Sequence, residues 1–311
     1  MQEFKSFIEL WDCLNDKTSC REFLEKHRWQ GDPICPHCGD RDKHYKLKSK
    51  GEFNGLYKCK CCRKRFTVTV GTMFEGSNIP LKKWFYAIYL FLSHKKGISS
   101  VQLAKDAGIT QKTAWFMLNR IRHNCKGKTH ISFDNETQID ETYVGGKAKG
   151  RGKGTQGRSL KFKTPVVGLI SDKKAYAIVV PNTTADILHP IIKTLVKQGS
   201  TIVTDGWGAY KGLKKKYHHE VVKHSQYEYV NKNGFHTNSI EGFWSHLKRG
   251  ILGIYHLVSP KHLQKYCDEF EFRYNTRDMD DISRFIMFVA TSYRRLKYKD
   301  LANGESAWLW Y

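Results

Sequence analysis

The 311-residue sequence has no long apolar run and few acidic residues for its number of basic ones. A helix that crosses a membrane needs about 18 or more consecutive, mainly apolar residues, and no segment approaches that length. The opening segment, MQEFKSFIELWDCLNDK, places acids and polar groups where a signal peptide needs an apolar core. These absences predict a soluble cytoplasmic protein without a membrane partner.

The shortage of acids gives the chain a strongly basic character. It has 30 acidic residues against 53 lysines and arginines, a formal charge of +23 and a pI near 9.6. Such a surplus attracts polyanions, and phosphate contacts supply most non-specific affinity for nucleic acids. Aromatic residues, 13% of the chain, are interleaved with the basic residues. This composition favours a nucleic-acid partner, although a basic protein that is merely soluble is the alternative.

Periodicity and composition divide the chain into five predicted segments. These are a helical segment at 1–30, a zinc ribbon at 31–75, a helix-turn-helix at 80–125, a catalytic domain at 135–275 and a helical tail at 276–311. Strands of the catalytic domain are predicted at TQIDETYV, TPVVGLI, AYAIVV, STIVTD and HHEVVKHS, with helices near 184–198, 207–217 and 238–250. Strands and helices in this order predict an α/β fold with a mixed sheet flanked by helices.

Two CxxC pairs predict a structural zinc site. Cys35 and Cys38 are separated by 20 residues from Cys59 and Cys62. Four thiolates at this spacing satisfy the tetrahedral coordination of Zn²⁺, and an intracellular chain favours a metal site over disulfides. Cys61 lacks the two-residue gap, and the nearby histidines are lesser candidates, namely His37 and His44.

The segment GISSVQLAKDAGITQKTAWFMLNRIRH predicts two helices joined at Gly108. Serine and threonine cap the helices, and the residues expected on the buried side are Val101, Leu103, Ala104 and Ala107. The outward side of the second helix would meet the major groove of DNA. Its predicted DNA contacts are Gln111, Lys112, Thr113 and Arg120. A helical hairpin with charged outer faces is the alternative.

Three acids stand where strands and a helix of the catalytic domain would bring them together. Asp140 lies in the first predicted strand, Asp205 ends an apolar strand, and Glu241 opens a helix. Polar groups collect beyond strand ends in open α/β sheets. Three converging carboxylates supply the anionic oxygens that two divalent metal ions about 4 Å apart require. Asp140 and Glu141 point to opposite faces of a strand, so only one of them joins a given site.

Glu241 has a second explanation, because NSIE also fits a capping box in which Glu241 bonds back to Asn238. Its position relative to other residues favours the metal-binding interpretation. Thirty-five residues separate Asp205 from Glu241, and Lys248 lies seven residues beyond Glu241, on the same face of a helix. Lys248 could hold a phosphate beside the metal ions.

These motifs resemble the insertion-sequence DDE transposases that have an N-terminal zinc ribbon, the ISXO2-like group related to Merlin elements. The resembling segments cover roughly residues 15–300 and are CPHC, CKCC, FTVTVGTMFEGSNIPLKKW, GITQKTAWFMLNRIR, IDETYVGGK, VTDGWGAY and HTNSIEGFWSHLKRGILGIYHLVSPKHLQKYCDEFEFRYN. The resemblance implies an RNase H-like catalytic domain with catalytic Asp140, Asp205, Glu241 and Lys248. Some relatives carry another residue at the third acidic position, so Asn238 is the alternative to Glu241.

The resemblance implies cleavage at the ends of a mobile element and joining of the resulting 3′-hydroxyls to target DNA. It implies two Mg²⁺ or Mn²⁺ ions, terminal inverted repeats and target DNA as partners, at least a homodimer on DNA, and a prokaryotic host in which the protein is nucleoid-associated. A basic, glycine-rich loop beside the site is a further predicted DNA contact, through Lys147, Lys149, Arg151 and Lys153. A binding-only regulator and a nuclease that cuts without joining are the alternatives.

Overall fold

A computed structural model describes residues 4, 6–41, 43–126, 132–145, 163–223, 226 and 229–303. The chain forms two compact units. The first comprises Met1–Asn124 and Asp278–Ala302, and the second comprises Cys125–Arg277 with Asn303–Tyr311. Among the described residues, no helix combines the length and apolarity that crossing a bilayer requires.

The first unit joins a small antiparallel sheet to a set of helices. Its sheet has the order β1-β2-β3, built from His44–Ser49, Glu52–Cys59 and Arg65–Phe66. Its helices are α1 (Phe7–Cys13), α2 (Lys17–Trp29), α3 (Leu81–Ser93), α4 (Ser100–Ala107), α5 (Gln111–Cys125), α9 (Asp281–Ala290) and α10 (Tyr298–Asn303). Phe285 of α9 makes edge contact with Phe85 of α3, so part of the predicted C-terminal tail completes the apolar core of this unit.

Helices α4 and α5 follow the predicted turn chemistry. The Ser99 hydroxyl accepts a hydrogen bond from the Gln102 backbone N–H, which caps the start of α4. Gly108 ends α4 with φ of 57°, a left-handed conformation that favours glycine. Leu103 and Ala107 are buried as predicted, whereas Val101 is 54% exposed, so its predicted burial is wrong.

The second unit contains a five-stranded mixed sheet. Its strands are β4 (Thr137–Gly145), β5 (Lys163–Ser171), β6 (Lys174–Val179), β7 (Thr201–Asp205) and β8 (His218–Val222), in the spatial order β6-β5-β4-β7-β8. The first three strands pair antiparallel, whereas β4, β7 and β8 pair parallel. This order is that of an RNase H-like sheet, as predicted.

Helices cover both faces of this sheet. On one face, α7 (Asn238–Gly250) and α8 (Pro260–Asn275) bury an apolar cluster that includes Phe243 and Phe270. On the other face, α6 (Ala185–Leu195) buries Leu188 and Ile192 against β4 and β7. Burial of apolar surface on both faces holds the sheet in a fixed position relative to α7. The predicted mixed sheet flanked by helices is therefore confirmed.

The predicted helix at 207–217 is wrong. The chain forms two 3₁₀ turns, Gly208–Tyr210 and Leu213–Lys215, on either side of Gly212. Gly212 has φ of 91°, which an α-helix does not accommodate. Glycine also lowers helix propensity by about 1 kcal/mol relative to alanine, and two glycines lie in this segment.

Candidate active site and zinc ribbon

The structure brings the four predicted zinc ligands together. The ligand sulfurs of Cys35, Cys38, Cys59 and Cys62 all lie within 4.8 Å of one another. The Sγ atoms of Cys35 and Cys62 are 3.6 Å apart, as are those of Cys38 and Cys59. Four converging thiols form a closed donor set that suits a structural Zn²⁺ ion.

The other sulfur and imidazole candidates lie outside this set of four. Cys61 is exposed. The ring of His37 lies 3.3 Å from the Arg65 carbonyl oxygen. His44 belongs to a second group, with Asp40 and Cys59, which shares one ligand with the first. The ribbon therefore uses the two CxxC pairs that the sequence spacing indicates.

Asp140 occupies the centre of the candidate active site. It lies on β4 opposite Gly168 of β5. Its Oδ2 atom accepts a hydrogen bond of 3.0 Å from the indole Nε1 of Trp244, on α7. Burial raises the pKa of Asp140 to about 7, and the negative charges of Glu141 and Asp205 add to the effect. A buried carboxyl whose pKa is raised in this way is a candidate functional group.

Asp205 is the last residue of β7 and lies at the same level of the sheet as Asp140. Strands β4 and β7 are parallel neighbours, and Gln138 pairs with Val203. Asp140 and Asp205 each follow this pair by two residues, so the pairing brings both acids to one level of the sheet. The Asp205 carboxylate accepts a hydrogen bond of 2.9 Å from the backbone N–H of Trp207, which orients it at the end of the strand.

Glu241 lies exposed in the first turn of α7. The alternative capping box with Asn238 is absent from this helix, because Asn238 is its first residue and Thr237 is the N-cap. The Thr237 hydroxyl instead donates a hydrogen bond of 3.0 Å to Glu241 Oε1. Lys248 is exposed two turns further along the helix.

The three acids are not as tightly grouped as the zinc ligands. Among the described residues, Asp140, Asp205 and Glu241 do not form a set whose ligand oxygens all lie within 4.8 Å. Asp140 and Asp205 are close enough to interact electrostatically, and Trp244 links Asp140 to the helix that carries Glu241. Three carboxylates with hard oxygen donors form a donor set that fits Mg²⁺ or Mn²⁺.

Glu141 points away from this group, as strand alternation predicts. It is buried, and its Oε2 atom accepts a hydrogen bond of 2.7 Å from the hydroxyl of Tyr210. Burial raises the pKa of Tyr210 well above its ordinary value, and the charge of Glu141 adds to it. The hydrogen bond from Tyr210 to Glu141 was not predictable from sequence, because the two residues are 69 positions apart in the chain.

The predicted DNA contacts of α5 differ in their exposure. Gln111 and Lys112 are exposed at the start of the helix, and Thr113 is half-buried. The outward orientation predicted for Arg120 is wrong, because its side chain is only 5% exposed. Its guanidinium donates hydrogen bonds of 2.9 Å to the backbone carbonyls of Leu296 and Met73. Helical spacing did not reveal that the C-terminal segment covers this side of α5.

The predicted DNA contacts of the basic, glycine-rich loop lie outside the described residues; they are Lys147, Lys149, Arg151 and Lys153.

Two family models match this chain. The ISXO2-like transposase domain matches residues 133–275. The transposase zinc-ribbon domain matches residues 15–65. The first range contains all three candidate acids and Lys248, and the second contains the four cysteines of the ribbon.

This chain is also similar in sequence to proteins of an archaeon and a bacterium, and it aligns with a solved transposase complex. A protein of the transposable element ISH50 from Halobacterium salinarum is 29% identical over 266 residues, which cover 80% of this chain and 88% of that protein. A transposase-like protein of Haemophilus influenzae is 34% identical over 107 residues, covering 34% of this chain and 85% of that protein. The Mos1 transposase paired-end complex aligns with 13% identity and a TM-score of 0.28, over 68% of this chain and 80% of that one. On the family and sequence matches, this chain belongs to the ISXO2-like transposases and carries the transposase zinc ribbon ahead of the transposase domain.

Proposed function

We propose that this protein is a DNA transposase that binds the ends of its element, cleaves them to give 3′-hydroxyls and joins these to target DNA. The observation that carries the proposal is the approach of Asp140, within β4, to Asp205, at the end of the parallel strand β7, beside the helix of Glu241. The raised pKa of Asp140 supports it, because a buried carboxyl whose pKa is raised further by neighbouring acids is a candidate functional group.

Asp140, Asp205 and Glu241 would hold the divalent ions. When bound, such ions activate the attacking oxygen and stabilise the leaving oxygen of a phosphodiester. In the first step water attacks the phosphorus at the element end, and the bond to the 3′-oxygen breaks. In the second step that 3′-hydroxyl attacks a phosphodiester of the target, whose own 3′-oxygen leaves. Lys248 would orient a phosphate through its charge, on the same side of α7 as Glu241.

DNA contacts in this proposal come from two surfaces of the first unit. One is the exposed start of α5, with Gln111, Lys112 and Thr113. The other is the outer face of the ribbon, which we define by Tyr45, Lys58 and Arg65, three residues aligned across β1, β2 and β3. Lysine opposite arginine destabilises a sheet by repulsion. A DNA phosphate between them would remove that cost.

The remaining features of the proposal concern the assembly and its place in the cell. Pairing of two element ends requires at least two active sites, so we propose a homodimer or larger assembly on DNA. The relatives come from an archaeon and a bacterium. We therefore place the protein in the cytoplasm of a prokaryotic host, bound to the nucleoid.

The test uses purified protein and duplexes that carry the inverted repeats flanking the gene. We expect Mg²⁺-dependent cleavage to a 3′-hydroxyl, followed by joining to a target plasmid. Asp140→Ala and Asp205→Ala should abolish both steps and retain end binding, whereas Asp186→Ala, which removes an exposed acid of α6, should retain all three. Binding without cleavage by the wild type would indicate a regulator, and cleavage without joining a nuclease; either result would overturn the proposal.

A further inference from the structure

Gln138 connects the strand of Asp140 to the start of α7. It precedes Asp140 by two residues on β4, so both side chains lie on one face of the sheet. Its side chain is buried, and its Oε1 atom accepts hydrogen bonds of 3.1 Å and 3.2 Å from the backbone N–H groups of Ser239 and Ile240. The first N–H groups of a helix have no acceptor within the helix. Gln138 therefore caps α7 from a distant strand, and the N-cap residue Thr237 makes no side-chain cap bond.

Trp244 makes the second connection, in the opposite direction. It lies three residues after Glu241 on α7 and is only 4% exposed. Its indole has a single hydrogen-bond donor, and that donor is directed to Asp140 Oδ2 at 3.0 Å. The bond fixes one carboxylate oxygen of Asp140 relative to the helix that carries Glu241.

Gly168 provides the space that this bond requires. It lies directly opposite Asp140 in the β4–β5 pairing. A Cβ atom at this position would lie 2.5 Å from Cζ2 and 2.6 Å from Cη2 of Trp244. Such distances are shorter than van der Waals contact, so any other residue would push the indole ring away from the sheet. The requirement for glycine here is one of space and not of backbone conformation.

We propose that Gln138, Gly168 and Trp244 form a clamp that positions the Asp140 carboxylate relative to Glu241. They are positioning residues, because Gln138 binds the first turn of α7, Trp244 binds Asp140, and Gly168 leaves space for the Trp244 ring. The proposal rests on the proposed function, since it assigns the clamp to the same metal-binding acids. Partners that orient metal-binding carboxylates change metal affinity by about 10- to 100-fold when they are removed.

The first test is independent of metal and DNA. In the metal-free, full-length protein, the indole N–H resonance of Trp244 is identified by its absence in Trp244→Phe. We expect this proton to exchange slowly with solvent in the wild type and faster in Asp140→Ala and Gly168→Ala. The indole of Trp84, which donates to Ser77 Oγ at 2.9 Å in the first unit, serves as the control resonance and should be unchanged. Equal exchange of Trp244 in wild type, Asp140→Ala and Gly168→Ala would overturn the clamp.

The second test measures whether Gly168 and Trp244 act through one interaction. Trp244→Phe removes the donor and the ring atoms that Gly168 accommodates. We therefore expect Trp244→Phe and Gly168→Ala each to raise the Mn²⁺ concentration for half-maximal binding about 10- to 100-fold. The double variant should be no worse than Trp244→Phe alone, because the shorter ring leaves room for Cβ at position 168. Binding is measured by titration without DNA, and cleavage is measured in parallel.

The matched control is Trp84→Phe, which deletes another buried indole donor, in the first unit. It should bind Mn²⁺ and cleave as the wild type does. Mn²⁺ affinity like that of the wild type in Trp244→Phe, or losses that add in the double variant, would overturn the clamp and leave the proposed function intact. Failure of the wild type to cleave would overturn the proposed function, while the exchange experiment would still decide on the clamp.

Discussion

Asp140 and Glu141 are adjacent in sequence, yet their carboxylates have different neighbours. Asp140 accepts from Trp244 on one side of the sheet, and Glu141 accepts from Tyr210. Strand alternation predicts this separation from sequence, since successive side chains point to opposite faces. It does not predict the partners, because a period of two residues contains no information about a residue that is 104 positions away in the chain.

Glu271 provides a prediction about pH and stability. It is buried on α8, and its Oε2 atom accepts a hydrogen bond of 3.3 Å from the backbone N–H of Ala177, on the edge strand β6. Burial, together with the charge of Asp268, raises the pKa of Glu271 from 4.5 to about 8. Between pH 4.5 and about pH 8, Glu271 keeps its proton in the folded protein but has released it in the unfolded chain. The free energy of unfolding therefore falls as pH rises.

Glu271→Gln should therefore lose less stability than the wild type between pH 5 and pH 8. A shift of one pKa unit corresponds to about 1.4 kcal/mol, so the difference is on the order of a few kcal/mol. Denaturant unfolding of both proteins at the two pH values measures it. Glu136→Gln, at an exposed acid before β4, is the control and should follow the wild type. Parallel pH profiles for Glu271→Gln and wild type would contradict the prediction.

At the scale of elements, the strands of the catalytic unit were easier to predict than its turns. STIVTD and TPVVGLI are short apolar runs rich in β-branched residues, and both form strands next to β4. The segment 207–217 has helical residues between glycines and forms 3₁₀ turns instead. Runs of buried, β-branched residues were therefore enough to predict strands. In 207–217 the backbone conformation of glycine determined the structure instead.

Helix α5 shows why one side of a helix was assigned wrongly. Arg120 has the charge and spacing of a DNA contact, but tertiary packing buries it under the C-terminal segment. Arg120→Met should leave the carbonyls of Leu296 and Met73 without their donors, which costs about 2–4 kcal/mol of stability. Lys112→Met, at an exposed position of the same helix, should change stability by less than about 0.5 kcal/mol and weaken DNA binding.

Denaturant unfolding and binding to element-end DNA, measured on both variants, separate these roles. We expect Arg120→Met to lose stability. Under conditions where it stays folded, it should bind DNA as the wild type does. Wild-type stability combined with weak DNA binding in Arg120→Met would restore the outward orientation that the helical spacing predicted.

At the scale of the whole molecule, the excess of basic residues predicts DNA binding that depends strongly on salt. Each phosphate contact contributes about −0.9 to the slope of log K against log salt concentration. Lys58→Gln combined with Arg65→Gln should therefore reduce the slope by about 0.9, because the two side chains share one phosphate. Lys193→Gln combined with Lys197→Gln removes the same charge from exposed sites of the other unit and should leave the slope unchanged. Equal changes in the two double variants would contradict a specific role for the outer face of the ribbon.

The division of the chain into five segments remains a prediction, whereas the structure forms two compact units. Sequence motifs were sufficient for the zinc ligands, because two CxxC pairs fix their own spacing. They were insufficient for the clamp, because Gln138, Gly168 and Trp244 lie on three separate elements. Long-range contacts of this kind come from the packing of α7 on the sheet.

The assignment of three metal-binding acids depends most on Glu241. Its carboxylate also accepts a hydrogen bond from Thr237, and that bond alone would explain an acid at the start of a helix. The most direct measurement is the Mg²⁺-dependent cleavage of an element end by purified Glu241→Ala. We expect cleavage to fall to the level without protein, while end binding and the unfolding midpoint stay close to those of the wild type. Cleavage that persists in Glu241→Ala would contradict the assignment of this acid to the active site.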